Sequence, residues 1–189
     1  MTPWTLIRNI GPSIVPVTVA ELKTHLRMEQ SDTMFDGDLG LKIASATEQL
    51  ERDTDRAWAT SQYLYQANQF PFGRASIALP IKPVQSIMSV EYKDEEGATQ
   101  TLAVESYSLD VGRREVFLNI GYEWPTVAIV QNAVDVTFVA GYGDEQSAIP
   151  AMAKEAILML AGSLFRDPAQ EDNENNRSNE AYERIVRRL

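Results

Sequence analysis

The stretch VTFVAGYGDEQSAIPAMAKEAILMLAGSLF, residues 136–165, holds a change of period that decides the fold. Val136, Phe138 and Ala140 alternate with their neighbours, as a strand with one buried face requires. After Gly141-Tyr142-Gly143 the apolar spacing becomes helical: Ile149, Met152, Ala153, Ala156, Ile157, Leu160, Ala161 and Leu164 form one stripe. Pro150 suits a first helical position, where its missing N–H costs nothing, and Asp167-Pro168 ends the run, so a helix is predicted over about 150–166.

Strand, glycine turn, helix is also how phosphate loops are built. A dinucleotide loop needs a third glycine in a parallel βαβ unit, and a P-loop needs Gly-Lys-Ser/Thr. Here Asp144 and Glu145 follow the glycines, and two carboxylates would repel a phosphate. The glycines are therefore read as a turn between strand and helix. The helix itself is apolar nearly all round, because Leu158, Met159 and Phe165 lie outside the stripe. It must be covered on more than one side, either by threading the centre of its own domain or by facing a neighbouring subunit.

Upstream, residues 63–138 keep the two-residue period, in short runs separated by Pro, Gly and charged turns. They are predicted to form an antiparallel β region, about residues 60–140, of some six strands. KDEEGATQ, residues 93–100, is read as a hairpin turn with Gly97 at positive φ. Before the β region, Leu39, Ile43, Ala46, Leu50, Ala57 and Trp58 predict a helix over 36–57, whose charged face of Lys42, Glu48, Arg52, Asp55 and Arg56 is wet or meets a polar partner. Thr18 and Glu21 form a capping box for a shorter helix over 19–28, with Val19, Leu22 and Leu26 on one face. Downstream, RDPAQEDNENNRSN has the composition of a linker, and NEAYERIVRRL that of a short amphipathic helix, too small to be stable alone. The fold class is α+β: a small helical bundle with an inserted antiparallel β region and a C-terminal helical tail.

The chain has 189 residues, which suits one domain with an appendage. Its formal net charge is -10, with 11 Lys/Arg against 20 Asp/Glu in residues 1–150 and 6 against 7 in residues 151–189. Such a surface opposes binding through nucleic-acid phosphates, an affinity that comes from Lys and Arg. With no cysteine, disulfides and thiolate chemistry are excluded, and a reducing cytoplasm is the default. MTPWTLIRNIGPSIVP lacks the apolar core of a signal peptide, and no run approaches the roughly 20 apolar residues of a membrane span, so a soluble protein without membrane partners is expected.

Residues that could carry chemistry are few. His25 is the only histidine, which rules out a His-cluster metal site, and beside Leu22 and Leu26 it reads as a partly buried or boundary residue. No GxSxG elbow occurs. Asp36 with Asp38 and Asp53 with Asp55 read as helix capping and solvated faces rather than a glycosidase pair. Trp4, Trp58 and Trp124 are too isolated to form a base-stacking platform. No catalytic, cofactor-binding or metal-binding residue is assigned, and a protein that acts by binding other proteins is expected.

The order of these features carries a resemblance. PVTVAELKTHLRME, a long helix ending in ERDTDRAW, QYLYQANQFPFGRASIALPIKPVQSIMSVEYKDEEG, then YSLDV, WP, VTFVAGYGD and IPAMAKEAILMLAGSLFRD follow one another over about residues 15–167. In this order they resemble the head-tail connector, or adaptor, family of tailed bacteriophages and related gene transfer agents. Beyond residue 167 the chain departs from the family pattern, and the linker and docking helix over 168–189 are read from their own composition; the resemblance implies a connector domain over residues 1–167. It implies a ring, typically of twelve subunits, beneath the portal protein, receiving the tail or its stopper or terminator protein, in a virion assembled in the host cytoplasm. Thr18 would cap the first helix, Pro80 and Pro83 bracket a strand entry, and Gly141, Gly143 and Pro150 make the strand-to-helix turn. Double-stranded DNA would pass through without sequence-specific binding. Twelve copies would carry about -120 charges, which would repel DNA from the channel wall or simply keep the component dissolved.

For such a ring the expected subunit interface is Leu158, Met159 and Phe165 against Arg52 and Arg56. The expected portal-docking residues are Tyr182, Arg184, Ile185, Arg187, Arg188 and Leu189. A tail-completion or stopper protein, a soluble assembly factor, and an uncharacterised hydrolase using scattered acids are the competing readings.

Overall fold

The computed structural model describes residues 4–165 and 174–189. The chain divides into two compact units, Met1–Pro12 with Thr60–Gly141, and Ser13–Ala59 with Tyr142–Leu189. The first is all β, the second helical.

The β unit contains β1 (Trp4–Ile10), β2 (Ser61–Ala67), β3 (Ile77–Ala78), β4 (Val84–Lys93), β5 (Thr99–Thr101), β6 (Tyr107–Asp110), β7 (Glu115–Leu118) and β8 (Val134–Ala140). A five-stranded sheet has the order β1-β2-β8-β4-β5 and a three-stranded sheet the order β3-β7-β6, with every ladder antiparallel. In β8 the expected alternation is present: Val134, Val136, Phe138 and Ala140 are buried, and the residues between them are half-buried. Phe138 stacks on Tyr63 across the β2–β8 ladder with centroids 5.5 Å apart. The turn at residues 94–97 closes β4 onto β5, with Gly97 at φ 84°. Asp94 accepts from the Ala98 backbone N–H at 2.8 Å and from the Gln100 amide at 2.7 Å, which fixes this turn.

β1 was not expected. The sequence patterning places no element over its seven residues, yet they pair with β2 from Trp4 opposite Ala67 to Ile10 opposite Gln62. The strand is exposed almost throughout, so it lacks the buried alternation that identifies strands in a sequence.

The helical unit contains α1 (Val19–Leu26), α2 (Asp36–Thr54), α3 (Ala151–Phe165) and α4 (Glu174–Val186). The capping box of α1 is formed: the Glu21 N–H donates to Thr18 Oγ1 at 3.2 Å, and the Thr18 N–H donates to Glu21 Oε2 at 2.7 Å. Such a cap contributes about 1 kcal/mol. α1 and α2 each stop earlier than periodicity predicted, at Leu26 and Thr54, because Arg27 and Asp55 turn left-handed with φ 58° and 52°. Ala57 and Trp58 remain fully buried, outside the helix that their spacing had placed them in.

α3 packs against α1, α2 and α4, which gives the physical reason for a helix apolar nearly all round. Its Ala153, Ala156, Ile157, Leu160 and Ala161 join Leu22, Leu39, Ile43, Leu50 and Trp58 in one core. Gly162 sits where α1 crosses, since a methyl group there would lie 3.5 Å from His25 and Leu26. Lys23 is buried between the first two helices, its ammonium 2.5 Å from Asp36 and 3.3 Å from the Gln30 carbonyl oxygen.

Candidate functional site

Gly141 and Gly143 turn the chain. Both have positive φ, 135° and 154°, and a Cβ on Gly143 would come 2.8 Å from that of Ala148. The Gly141 N–H donates to the Pro83 carbonyl at 2.9 Å, and its own carbonyl accepts from the Gln85 amide at 2.8 Å. These groups are used within the fold, so the steric reading of the turn is sufficient.

Among the described residues no group of three or more His, Cys, Asp or Glu is placed to hold a metal ion, and no helix is long and apolar enough to cross a membrane. His25 is exposed at the end of α1. Trp58 and Trp124 both stack within the fold, on Tyr142 at 5.6 Å and on Phe70 at 4.8 Å. Trp124 also donates its indole N–H to the Ala75 carbonyl at 2.9 Å. Burial raises Glu21, but hydrogen bonds from Thr18 and the charge of Lys154 outweigh it and leave that carboxyl below its usual range. This is the electrostatics of a helix cap, not of an acid-base catalyst.

The residues expected to bind other molecules lie on α2, α3 and α4. Of the five residues expected at a subunit interface, Leu158 and Phe165 are half-buried and pack on the core of their own chain, and Phe165 meets Phe35 edge-on at 5.8 Å. Met159 is half-buried, while Met152 and Glu155 on α3 and Arg52 on α2 are exposed. Arg56 is engaged at home: its guanidinium donates to the Tyr142 hydroxyl and to the carbonyl of Leu189.

The six residues expected to dock on a partner divide in two. Tyr182 is buried, with 4% of its surface exposed, and its hydroxyl donates to Asp53 Oδ2 at 2.7 Å. Ile185, Val186 and Leu189 are half-buried against the core of the helical unit. Arg184, Arg187 and Arg188 are exposed. α4 also begins at Glu174, inside the stretch read as linker; the start of that stretch, residues 166–173, lies outside the described residues. The Asp53–Tyr182 and Arg56–Leu189 contacts join residues 129 and 133 positions apart, and no sequence signal announces them.

Burial, the hydrogen bond to Asp53, and the negative charges of Asp53 and Glu183 together hold the Tyr182 phenol well above its ordinary value. The neutral phenol is thus the form the fold favours. Its stabilisation is complete below the unfolded value of about 10 and is lost as pH rises from there towards the folded value. Urea unfolding at pH 8 and pH 11 should therefore show wild type losing its advantage over Tyr182→Phe, by up to about 1.4 kcal/mol per pH unit. If both proteins weaken in parallel, Tyr182 is not the group responsible.

No family model matches the chain, and no curated protein does. Solved structures do. A chain from the neck of an empty gene transfer agent particle, computed with C6 symmetry, superposes with a TM-score of 0.74 at 21% identity, covering 96% of this chain and 94% of that one. A chain in the virion of a native gene transfer agent particle gives 0.73 at 21%, and one in the neck of a native particle computed with C12 symmetry gives 0.72 at 22%, with the same coverage. These are structures of a particle and its neck. At this identity the likeness speaks for the fold, and almost end to end the chain has the α+β fold of a protein built into gene transfer agent particles.

Proposed function

We propose that the chain is a structural virion protein of the head-tail neck of a phage or gene transfer agent particle, acting as a ring of copies, twelve in the simplest case, beneath the portal. The observation that carries this reading is the fold likeness over 96% of the chain. The cyclic symmetry of the matched necks, C6 and C12, suits a ring. A closed ring needs one face of a subunit to meet a different face of the next. Met152 and Met159 of α3 supply an apolar face, with Leu158 and Phe165 at its margin, and Arg52 of α2 supplies charge. The exposed Arg184, Arg187 and Arg188 are the part of α4 left for the portal. The net charge of -10 per copy would keep passing DNA off the wall, while a tail stopper or terminator would close the far side.

Light scattering on the purified protein, alone and with portal complexes, tests this. About twelve copies recruited per portal, giving a ring-sized increase in mass, is the expected result, whereas a protein indifferent to portal would remove the proposal. A stopper or assembly factor would bind an already assembled neck, or be missing from finished particles. Reversing Arg184, Arg187 and Arg188 to Glu should weaken portal attachment by about 10- to 100-fold, with the fold intact because all three are exposed. Unchanged attachment would exclude α4 from the contact.

A further inference from the structure

The two edges of the five-stranded sheet are built differently. On one side lies β5, only three residues long, beside the acidic turn Asp94-Glu95-Glu96. Short strands and like charges are the usual protection of a sheet edge against a second copy. On the other side lies β1, seven residues of sequence WTLIRNI, with no proline, a single charge, and Trp4, Ile7 and Ile10 exposed by 45%, 43% and 60%. Its only irregularity is a bulge between Arg8 and Ile10, which leaves Trp4 to Arg8 in unbroken register with β2. The edges of the smaller sheet, β3 and β6, have two and four residues. Among the described strands, β1 is thus the long, apolar, unprotected edge.

β1 is also complementary to itself. In an antiparallel pair centred on Leu6, Leu6 meets Leu6 of the second copy, Trp4 meets Arg8, and Thr5 meets Ile7. Every pairing is then favourable: apolar on apolar, a guanidinium against an indole, and a β-branched pair. The two arginines are kept apart, whereas a pair centred on Arg8 would bring them together. The strand is prepared for this register. Trp4 already stacks on Tyr65 at 5.8 Å, and the Arg8 guanidinium lies over Tyr63 at 5.4 Å while its Nε donates to the Tyr63 hydroxyl at 3.1 Å. Pairing would extend these two contacts into a ladder running across both copies.

We propose that β1 is a pairing site for a second copy of this chain, joining two five-stranded sheets into one of ten strands about a two-fold axis at Leu6. This goes beyond the neck reading. A two-fold pair has no place in a ring whose two faces meet different partners, so the dimer is a form of the protein outside the particle, and it covers an edge that would otherwise aggregate.

The chain contains no cysteine, so single-cysteine variants of the full-length protein report the pairing directly. Under mild oxidation Leu6→Cys should give a covalent dimer at least about tenfold faster than Thr5→Cys or Ile7→Cys, whose sulfurs would face position 7 or 5 of the other copy rather than their own counterpart. Light scattering over a dilution series should show wild type passing from dimer to monomer, and Leu6→Lys, which sets two like charges face to face, monomeric and folded by circular dichroism. Equal cross-linking at positions 5, 6 and 7, or none at 6, overturns the proposal, as does wild type that is monomeric throughout or Leu6→Lys that stays dimeric. If Leu6→Lys does not fold, the cysteine series decides alone. Capture of an extended segment of a different protein by β1, with no self-association, also overturns it. None of these results depends on portal binding, so the neck reading stands or falls separately.

Discussion

Phe138→Ala is expected to destabilise the β unit by about 3–5 kcal/mol, the range for removing a buried phenylalanine. Phe138 is fully buried in the central strand β8, with β2 on one side and β4 on the other, and its ring stacks on Tyr63 at 5.5 Å. Neither neighbouring strand can move in to fill the space without losing its own register, so both the transfer energy and the cavity term should be felt. Set against a total of roughly 5–15 kcal/mol for a natural domain, this is a large share. In urea the midpoint should fall with an unchanged slope, and Phe138→Leu should lose much less. A loss below about 1 kcal/mol for the alanine variant would mean that the β2–β8–β4 core is not the structural centre of this unit.

Deleting Glu174–Leu189 is expected to destabilise the helical unit by about 2 kcal/mol or more and to make the protein self-associate. From the sequence alone this segment reads as the end of a linker and a docking helix outside the connector domain. In the fold, Tyr182 is buried against α2 with its hydroxyl on Asp53, and Ile185, Val186 and Leu189 rest on the core. Removing them opens apolar surface on α2 and α3 and strips Arg56 of the carbonyl it holds. The melting temperature should drop by about 4–8 °C, with new binding of a hydrophobic dye. A truncated chain that melts as wild type and stays monodisperse would show that α4 contributes nothing to the core. It follows that a truncation cannot by itself test portal attachment, and the three arginine reversals are the cleaner experiment.

The comparison between sequence and fold is clearest at these elements. The capping box at Thr18 and Glu21 was legible because it is a contact across three residues, and it formed as read. β2, β7 and β8 were legible because each has one buried face, and burial imposes a period of two. Helix ends were misjudged where Arg27 and Asp55, neither a glycine, take left-handed conformations. β1 was missed because an exposed edge strand has no face to alternate, and its pairing partner lies more than fifty residues away. The expected interface residues were chosen for being apolar off the main stripe of α3, but Leu158 and Phe165 turn out to pack on their own chain's core.

By itself, then, the sequence determined the local elements, the α+β class, the glycine turn after β8 and the acidic charge, since all of these depend on neighbouring residues or on composition. Only the tertiary structure decided that α3 is wrapped by three helices, that α4 folds back with Tyr182 on Asp53, and that β1 closes one edge of the sheet while leaving its own outer side open. These outcomes depend on which apolar surfaces meet after the chain collapses, and burial energy has no fixed spacing along the sequence.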